Sequence, residues 1–325
     1  MDERLRQRCE LLARNRETIS KTLKWDYNVM YTAAAGIFTA EGVEVEAETL
    51  KECRRVLKES EGIFSDFRAH LMVPIVCRMA MSGDPAEYLR KLKAAYKAVQ
   101  DGRLLGSEYR VGAAMILAER VPEHAYGEYA AKTGEVLKAL NREHRILTGD
   151  EDTPFAALLA VAGGGTPAVA EEAERCYRIL AGRFWDKDAV WTLAQVLALF
   201  PGDAESKCRK TIAVFDEMKD RGQKYGKGRE IAMLGLMTAL DEPAEVIAAQ
   251  IDEADDYMRE EKPFRGLAMD AKTRAMFAAQ VVLDTNLPPE TRADDLAVNT
   301  ALQIAIMIEI CVLVTVLCTT NMLSH

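Results

Sequence analysis

The chain has 325 residues, of which 49% are hydrophobic, 29% charged and only 10 proline, a composition that excludes disordered, collagen-like and multi-span membrane classes. It is long enough to bury a core without disulfide or metal staples. A formal charge of −9 argues against wholesale binding of nucleic acid or of an anionic membrane, because both require a positive field.

In the first 17 residues charges alternate with Leu5, Cys9 and Leu12, so no uninterrupted apolar stretch of a secretory signal is present and a cytoplasmic location is expected. Apolar residues then recur at steps of three or four: Leu50, Cys53 and Leu57; Leu89, Leu92, Tyr96 and Val99; Cys176 and Leu180; Cys208, Ile212, Phe215 and Met218; Ile247, Ile251, Ala254 and Met258. That spacing predicts amphipathic helices. Between them lie segments apolar on most sides, Val111 to Leu117, Val190 to Phe200 and Ile231 to Leu240, which predict interior helices. No period-two run indicates a strand.

Breaks at Pro85, Pro122, Pro167, Pro201 and Pro243 are 37, 45, 34 and 42 positions apart, about the length of a helical hairpin. The expected fold is therefore all-α, an α-solenoid-like array of antiparallel helix pairs over residues 1–298, followed by an apolar C-terminal helix at 299–325. Gly62, Phe64 and Asp66 reappear as Gly182, Phe184 and Asp186, shifted by 120, and Gly83-Asp84 reappears as Gly202-Asp203, shifted by 119. This weak identity at constant offset suggests internal duplication of a three-hairpin unit of about 120 residues. Seven cysteines scattered among apolar positions, with no C-x-x-C pair, read as reduced core thiols.

The run Arg142 to Leu159, REHRILTGDEDTPFAALL, carries Leu147, Thr148, Pro154, Ala157, Leu158 and Leu159 in the pattern L-T-x-x-D-D-x-P-x-A-x-L-L, with Asp150, Glu151 and Asp152 as its acids. This resembles an uncharacterised bacterial family, the domain of unknown function numbered four thousand and three. Gly62-Ile63-Phe64-Ser65, Gly83-Asp84-Pro85-Ala86-Glu87 and Tyr257 to Lys262 extend the resemblance over about residues 30 to 290. Where that family has Asn-x-Leu-Gln and then Ser-His-Ile-Leu, this chain reads Lys187 to Leu197, KDAVWTLAQVL, and the family's histidine has no counterpart. The resemblance implies a bacterial setting and a helical fold, and no reaction.

The densest polar cluster is Glu143, His144, Asp150, Glu151 and Asp152. These residues could supply an acid-base pair or hold a hard divalent cation such as Mg²⁺, with help from Asp186 or Asp188. The plainer expectation is that an Asp or Thr caps the following helix, with Pro154 in its first turn and the acids complementing its positive end. No zinc or hydrolase motif can be written around the four histidines or the serines, so no cofactor is predicted. Lys219, Arg221, Lys224, Lys227 and Arg229, with Tyr225 among them, form the strongest basic run, a potential anion or partner patch or a solvated loop. Trp185 and Trp191 are expected to pack inside.

Residues 301–317, ALQIAIMIEICVLVTVL, are apolar apart from a central Glu309 and approach the ~20 residues that span a bilayer. The expectation is a helix docked on the array or on a second copy of the chain, forming a homodimer. The alternative is a tail anchor at the cytoplasmic face of the membrane. With no complete catalytic constellation, the reading favours a non-catalytic interaction or scaffold protein with an unidentified protein partner and no nucleic acid. An acid-base or metal-dependent enzyme centred on residues 143–152 is the alternative.

Overall fold

In the computed structural model, residues 1–24, 28–62, 65–102, 105–163, 166–223, 225–265 and 269–287 are described, and among them every regular element is helical. The segment 301–317 and the expected boundary at 298 lie outside the described residues. Fourteen α-helices follow one another: α1 (Glu3–Leu23), α2 (Asn28–Ala40), α3 (Ala47–Ser60), α4 (Met72–Met81), α5 (Pro85–Gln100), α6 (Glu108–Arg120), α7 (Tyr126–Glu143), α8 (Thr153–Val161), α9 (Thr166–Leu180), α10 (Lys187–Ala198), α11 (Ala204–Asp220), α12 (Ala232–Leu236), α13 (Ala244–Glu260) and α14 (Ala271–Asn286). Consecutive helices pack as seven hairpins.

The two helices of a hairpin differ in kind. Odd-numbered helices are amphipathic: α3 buries only Leu50, Cys53 and Leu57, one stripe at helical spacing, and α13 buries Ile247, Ala248, Ile251, Ala254, Asp255 and Met258. Even-numbered helices are covered all round, as in Thr153 to Ala160 of α8 and Ala189 to Leu197 of α10. The odd helices thus form an outer layer, each packing on its odd neighbours, while the even helices line the inside. The segment 231–240, expected to be one interior helix, is short α12 flanked by 3₁₀ turns.

The array also closes. Helices α13 and α14 pack against α1, and α14 packs against α2. Arg4 donates to the Thr285 carbonyl at 2.7 Å, the amino terminus pairs with Glu253 at 2.9 Å, and the Arg16 guanidinium lies over the Phe264 ring at 5.8 Å. A solenoid with free ends would leave α1 and α14 each with an uncovered flank; here each covers the other's, and the seven hairpins form a ring.

Closure gives the ring two faces. One carries the described links from each inner helix to the next outer helix, residues 41–46, 82–84, 121–125, 162–163, 199–203 and 240–243. Their charged side chains are Glu41, Glu44, Glu46, Asp84, Glu123, Asp203, Asp241 and Glu242, with no lysine or arginine. Outer helices begin on this face, where carboxylates complement the positive helix end. Asp84 accepts from Glu87 N at 3.0 Å and Asp203 from Ser206 N at 2.8 Å. Gly83 (φ 75°) and Gly202 (φ 103°) precede these two caps in left-handed backbone that a side chain would strain. They are 119 residues apart, and α3, α5 and α7 start 119, 119 and 118 residues before α9, α11 and α13. The other face carries the turns within hairpins, and His144, Asp150, Glu151, Asp152 and Trp185 fall there. Among the described residues no helix is long and apolar enough to cross a membrane.

Candidate functional site

The acidic loop is a 3₁₀ turn, Asp150–Asp152, between Gly149 and α8. Its side chains diverge. Asp150 reaches back to the third hairpin, accepting from the Ser107 hydroxyl at 2.5 Å and from Arg110 Nη2 at 3.2 Å. Asp152 is buried and reaches forward to the fifth: Oδ1 accepts from Gln195 Nε2 of α10 at 2.6 Å, and Oδ2 accepts from Gly149 N at 2.8 Å. Glu151 folds back beside Gly149, where a Cβ would stand 2.2 Å from its Oε2.

Capping of α8 by an acid does not occur. Asp152 occupies the N-cap position without a side-chain cap bond, because its carboxylate is engaged with Gln195 and the Gly149 amide; the Thr153 hydroxyl donates to the Asp150 carbonyl instead. Pro154 does stand in the first turn of α8.

His144 closes the C-terminus of α7 and points to the fifth hairpin. Its Nε2 pairs with Glu174 Oε2 at 2.5 Å, while Glu174 Oε1 accepts from Arg178 Nε at 2.6 Å. The imidazole is wedged between Tyr177 and Trp191, with centroids 4.2 and 4.6 Å away. Trp191 is 1% exposed and its Nε1 donates to Thr148 Oγ1 at 3.0 Å. His144, Thr148, Asp150 and Asp152 therefore tie the fourth hairpin to its two neighbours and do not converge on one point. Among the described residues no group of three His, Cys, Asp or Glu side chains could hold a metal ion. Asp186 caps α10 through Ala189 N at 3.1 Å.

The basic run wraps a buried centre. Tyr225 is buried and its hydroxyl donates to the Glu230 carbonyl, so it presents no face to a ligand; burial and the Glu230 carboxylate push its phenol well above the usual range. Glu230 Oε1 accepts from Lys227 N at 3.0 Å and Gly228 N at 3.1 Å. Arg221 Nη2 reaches the Glu245 carbonyl at 3.5 Å. Lys224 and the Arg229 side chain lie outside the described residues, and Lys219 is exposed.

Trp185 corrects the expectation for the two tryptophans. It is 95% exposed, because the turn 181–186 buries Phe184 against Phe215 and turns the next side chain outward. Ile146, 96% exposed, and Leu105, 81% exposed, occupy the equivalent turns of the two preceding hairpins. Three consecutive hairpin turns on one face thus each carry a solvated apolar side chain.

Several polar clusters, buried or half-buried, have no sequence motif. Arg78 of α4 and Glu119 of α6 form an ion pair, Nε to Oε1 at 2.6 Å, joined by the Tyr88 hydroxyl at 2.8 Å; burial and that carboxylate push Tyr88 well above the usual phenol range. His70 Nδ1 pairs with Glu108 at 2.7 Å, which raises its pKa. Buried Lys207 donates to Glu172 at 2.7 Å and to the carbonyls of Leu197 and Phe200 at 3.0 Å. Their signal is spacing: His70 to Glu108, Arg110 to Asp150, Arg78 to Glu119 and Thr148 to Trp191 are 38, 40, 41 and 43 positions apart, one hairpin in each case.

No curated protein and no solved structure matches the chain. Residues 15–312 match the family described as protein of unknown function, DUF4003. That match takes in all seven hairpins from the middle of α1 onward, with Leu147, Thr148 and Pro154 at the seam between the fourth and fifth, and the chain belongs to this family.

Proposed function

We propose that the protein is a non-catalytic interaction protein whose hairpin-turn face docks a protein partner through apolar anchors at Leu105, Ile146 and Trp185. The observation that carries this reading is the exposure of one large apolar side chain on each of three consecutive hairpin turns. Soluble proteins rarely hold large apolar side chains fully in water in a row, and exposed tryptophan is among the commonest energetic centres of interfaces. The opposite face, with acids alone in its links, is suited to repel acidic partners and leaves the turn face as the adhesive one. The partner is a heterologous protein with pockets for three anchors. The reading also places the protein in the cytoplasm, in keeping with Cys9, Cys53, Cys77, Cys176 and Cys208, which are buried free thiols.

The enzyme alternative centred on His144, Asp150, Glu151 and Asp152 draws less support, because three of these four are engaged in holding hairpins together. A divalent cation would have to displace Arg110 or Gln195 from its carboxylate. Docking of 301–317 on the ring, on a second copy or in a membrane remains a separate proposal about residues outside those described.

The test is a comparison of partners recovered from the native cell by the wild-type chain, by Leu105→Asp/Ile146→Asp/Trp185→Asp, and by Glu41→Gln/Glu44→Gln on the opposite face. The triple variant should melt with the wild type and lose a partner that the double variant retains. Retention by the triple variant overturns the reading, as does a wild-type dimer that the triple substitution dissociates, which would make the occupant a second copy.

A further inference from the structure

Arg16 is the one arginine among the described residues that is buried, at 7% exposure. It stands where the ring closes, on α1 of the first hairpin and against the 3₁₀ turn Lys262–Phe264 of the seventh. Its guanidinium is fixed from two sides: Nε donates to Thr32 Oγ1 of α2 at 2.9 Å, and the cation lies over the Phe264 ring at 5.8 Å. Both contacts leave Nη1 and Nη2 unused. Neither nitrogen makes a hydrogen bond within the protein, and neither belongs to the side-chain atoms sealed from solvent without a partner, so both donors face accessible space.

No carboxylate answers this charge. Arg78, Arg110 and Arg274, with side chains 13%, 12% and 12% exposed, each meet an acid at ion-pair distance, Glu119, Asp150 and Asp255. Arg16 is buried and has no such partner among the described residues. Burial pulls its pKa down to about 10, with the Tyr31 phenol opposing the fall, so it is still a cation at neutral pH. A buried charge without a counter-ion costs stability, and a fold that retains one is paying for a function in which the opposite charge arrives from outside. The free Nη pair forms a planar fork that matches the two oxygens of a carboxylate. One guanidinium neutralises one carboxylate, whereas a phosphate dianion would be left half neutralised.

We infer that Arg16 anchors a site for a small-molecule carboxylate at the closing seam of the ring, with Nη1 and Nη2 donating to the two carboxylate oxygens while Thr32 and Phe264 hold the guanidinium in place. The inference stands apart from docking at Leu105, Ile146 and Trp185, which belong to the third, fourth and fifth hairpins, and the triple variant there should leave it untouched.

The probe is butyrate, titrated into the full chain against chloride at equal ionic strength. The wild type should bind one equivalent saturably by calorimetry, and butyrate should raise its melting temperature. Arg16→Met, an unbranched apolar side chain that can still pack on Phe264, should bind butyrate at least tenfold more weakly and lose that rise. In chloride it should melt no lower than the wild type, because the stranded charge is gone. A variant that melts clearly lower in chloride makes Arg16 a structural residue and overturns the inference. So does equal binding of butyrate by the two chains. Absence of saturable butyrate binding by the wild type overturns it as well, however the variant folds. Saturable binding of inorganic phosphate in place of butyrate overturns the carboxylate assignment.

Discussion

Trp191 Nε1 donates to Thr148 Oγ1 across the seam between the fourth and fifth hairpins, at 3.0 Å and out of reach of water. The signature threonine is thereby placed as the sole acceptor of a buried indole, and a catalytic role is unnecessary to explain it. Thr148→Val keeps the shape and leaves the indole N–H unsatisfied, which costs about 1–3 kcal/mol. Trp191→Phe removes the donor but opens a void. The two substitutions should couple in a double-mutant cycle of urea midpoints at unchanged m-value. Strict additivity would show that the bond contributes nothing.

Asp152 and Glu151 are neighbours with opposite expectations. Asp152→Ala strips acceptors from Gln195 and Gly149 N inside the protein and should cost roughly 3–6 kcal/mol, at about 1.5–3 for each hydrogen bond to a carboxylate. Glu151→Ala touches no partner and should stay within about 0.5 kcal/mol. Thermal melts of the two variants separate a structural staple from a metal or acid-base site, in which both residues would be dispensable for folding.

His70 gives stability a pH dependence of known sign. Its pairing with Glu108 raises the folded-state pKa above the unfolded value of about 6.5. The protonated form is therefore favoured by folding: the contribution is fully present below the unfolded pKa and is lost as pH rises through the folded one. Chemical denaturation between pH 5.5 and 8.5 should show this fall, and His70→Asn should flatten it. An unchanged slope in that variant would assign the effect to other groups.

Closure of the ring changes what a terminal deletion does. In an open solenoid, removing residues 1–23 would expose α2 and α3 and leave the far end intact. Here α1 covers α13 and α14 as well, with Leu5, Cys9, Leu12, Ile19 and Leu23 all buried. Hydrogen exchange in the truncated chain should quicken in α13 and α14, more than 200 residues away in sequence. Protection confined to normal values there would mean that the contact is incidental.

The helices are legible in the sequence because a stripe such as Leu50, Cys53 and Leu57 states both period and burial. Closure is not: Leu5, Cys9 and Leu12 announce that a face of α1 is covered without naming α14 as the cover. At the acidic loop the composition locates a helix start, but the partners of Asp150 and Asp152 lie one hairpin away at Ser107, Arg110 and Gln195. Local sequence reading sees the acids side by side and credits them to one site, when the repeat length sends them to different ones. Trp185 misleads for a related reason, since the residue that packs is Phe184.

The buried pair Arg78 and Glu119 offers the sharpest energetic test, because it joins α4 to α6 with side chains 13% and 7% exposed. Two charges removed from water repay their desolvation only while each satisfies the other. Glu119 accepts from Arg78 and from Tyr88, so Glu119→Leu strands a guanidinium and a phenol together and should cost about 3–5 kcal/mol. Arg78→Met alone should cost a similar amount by leaving the carboxylate buried. The double variant, Arg78→Met with Glu119→Leu, removes both charges and fills the space with apolar groups, and should recover most of the loss, leaving only the Tyr88 hydroxyl without its acceptor. Equilibrium unfolding of the four chains closes the cycle. A double variant as unstable as the sum of the singles would show that the ion pair is replaceable by nothing apolar at this seam, and that the hydrogen bond from Tyr88 carries more of the junction than the charges do.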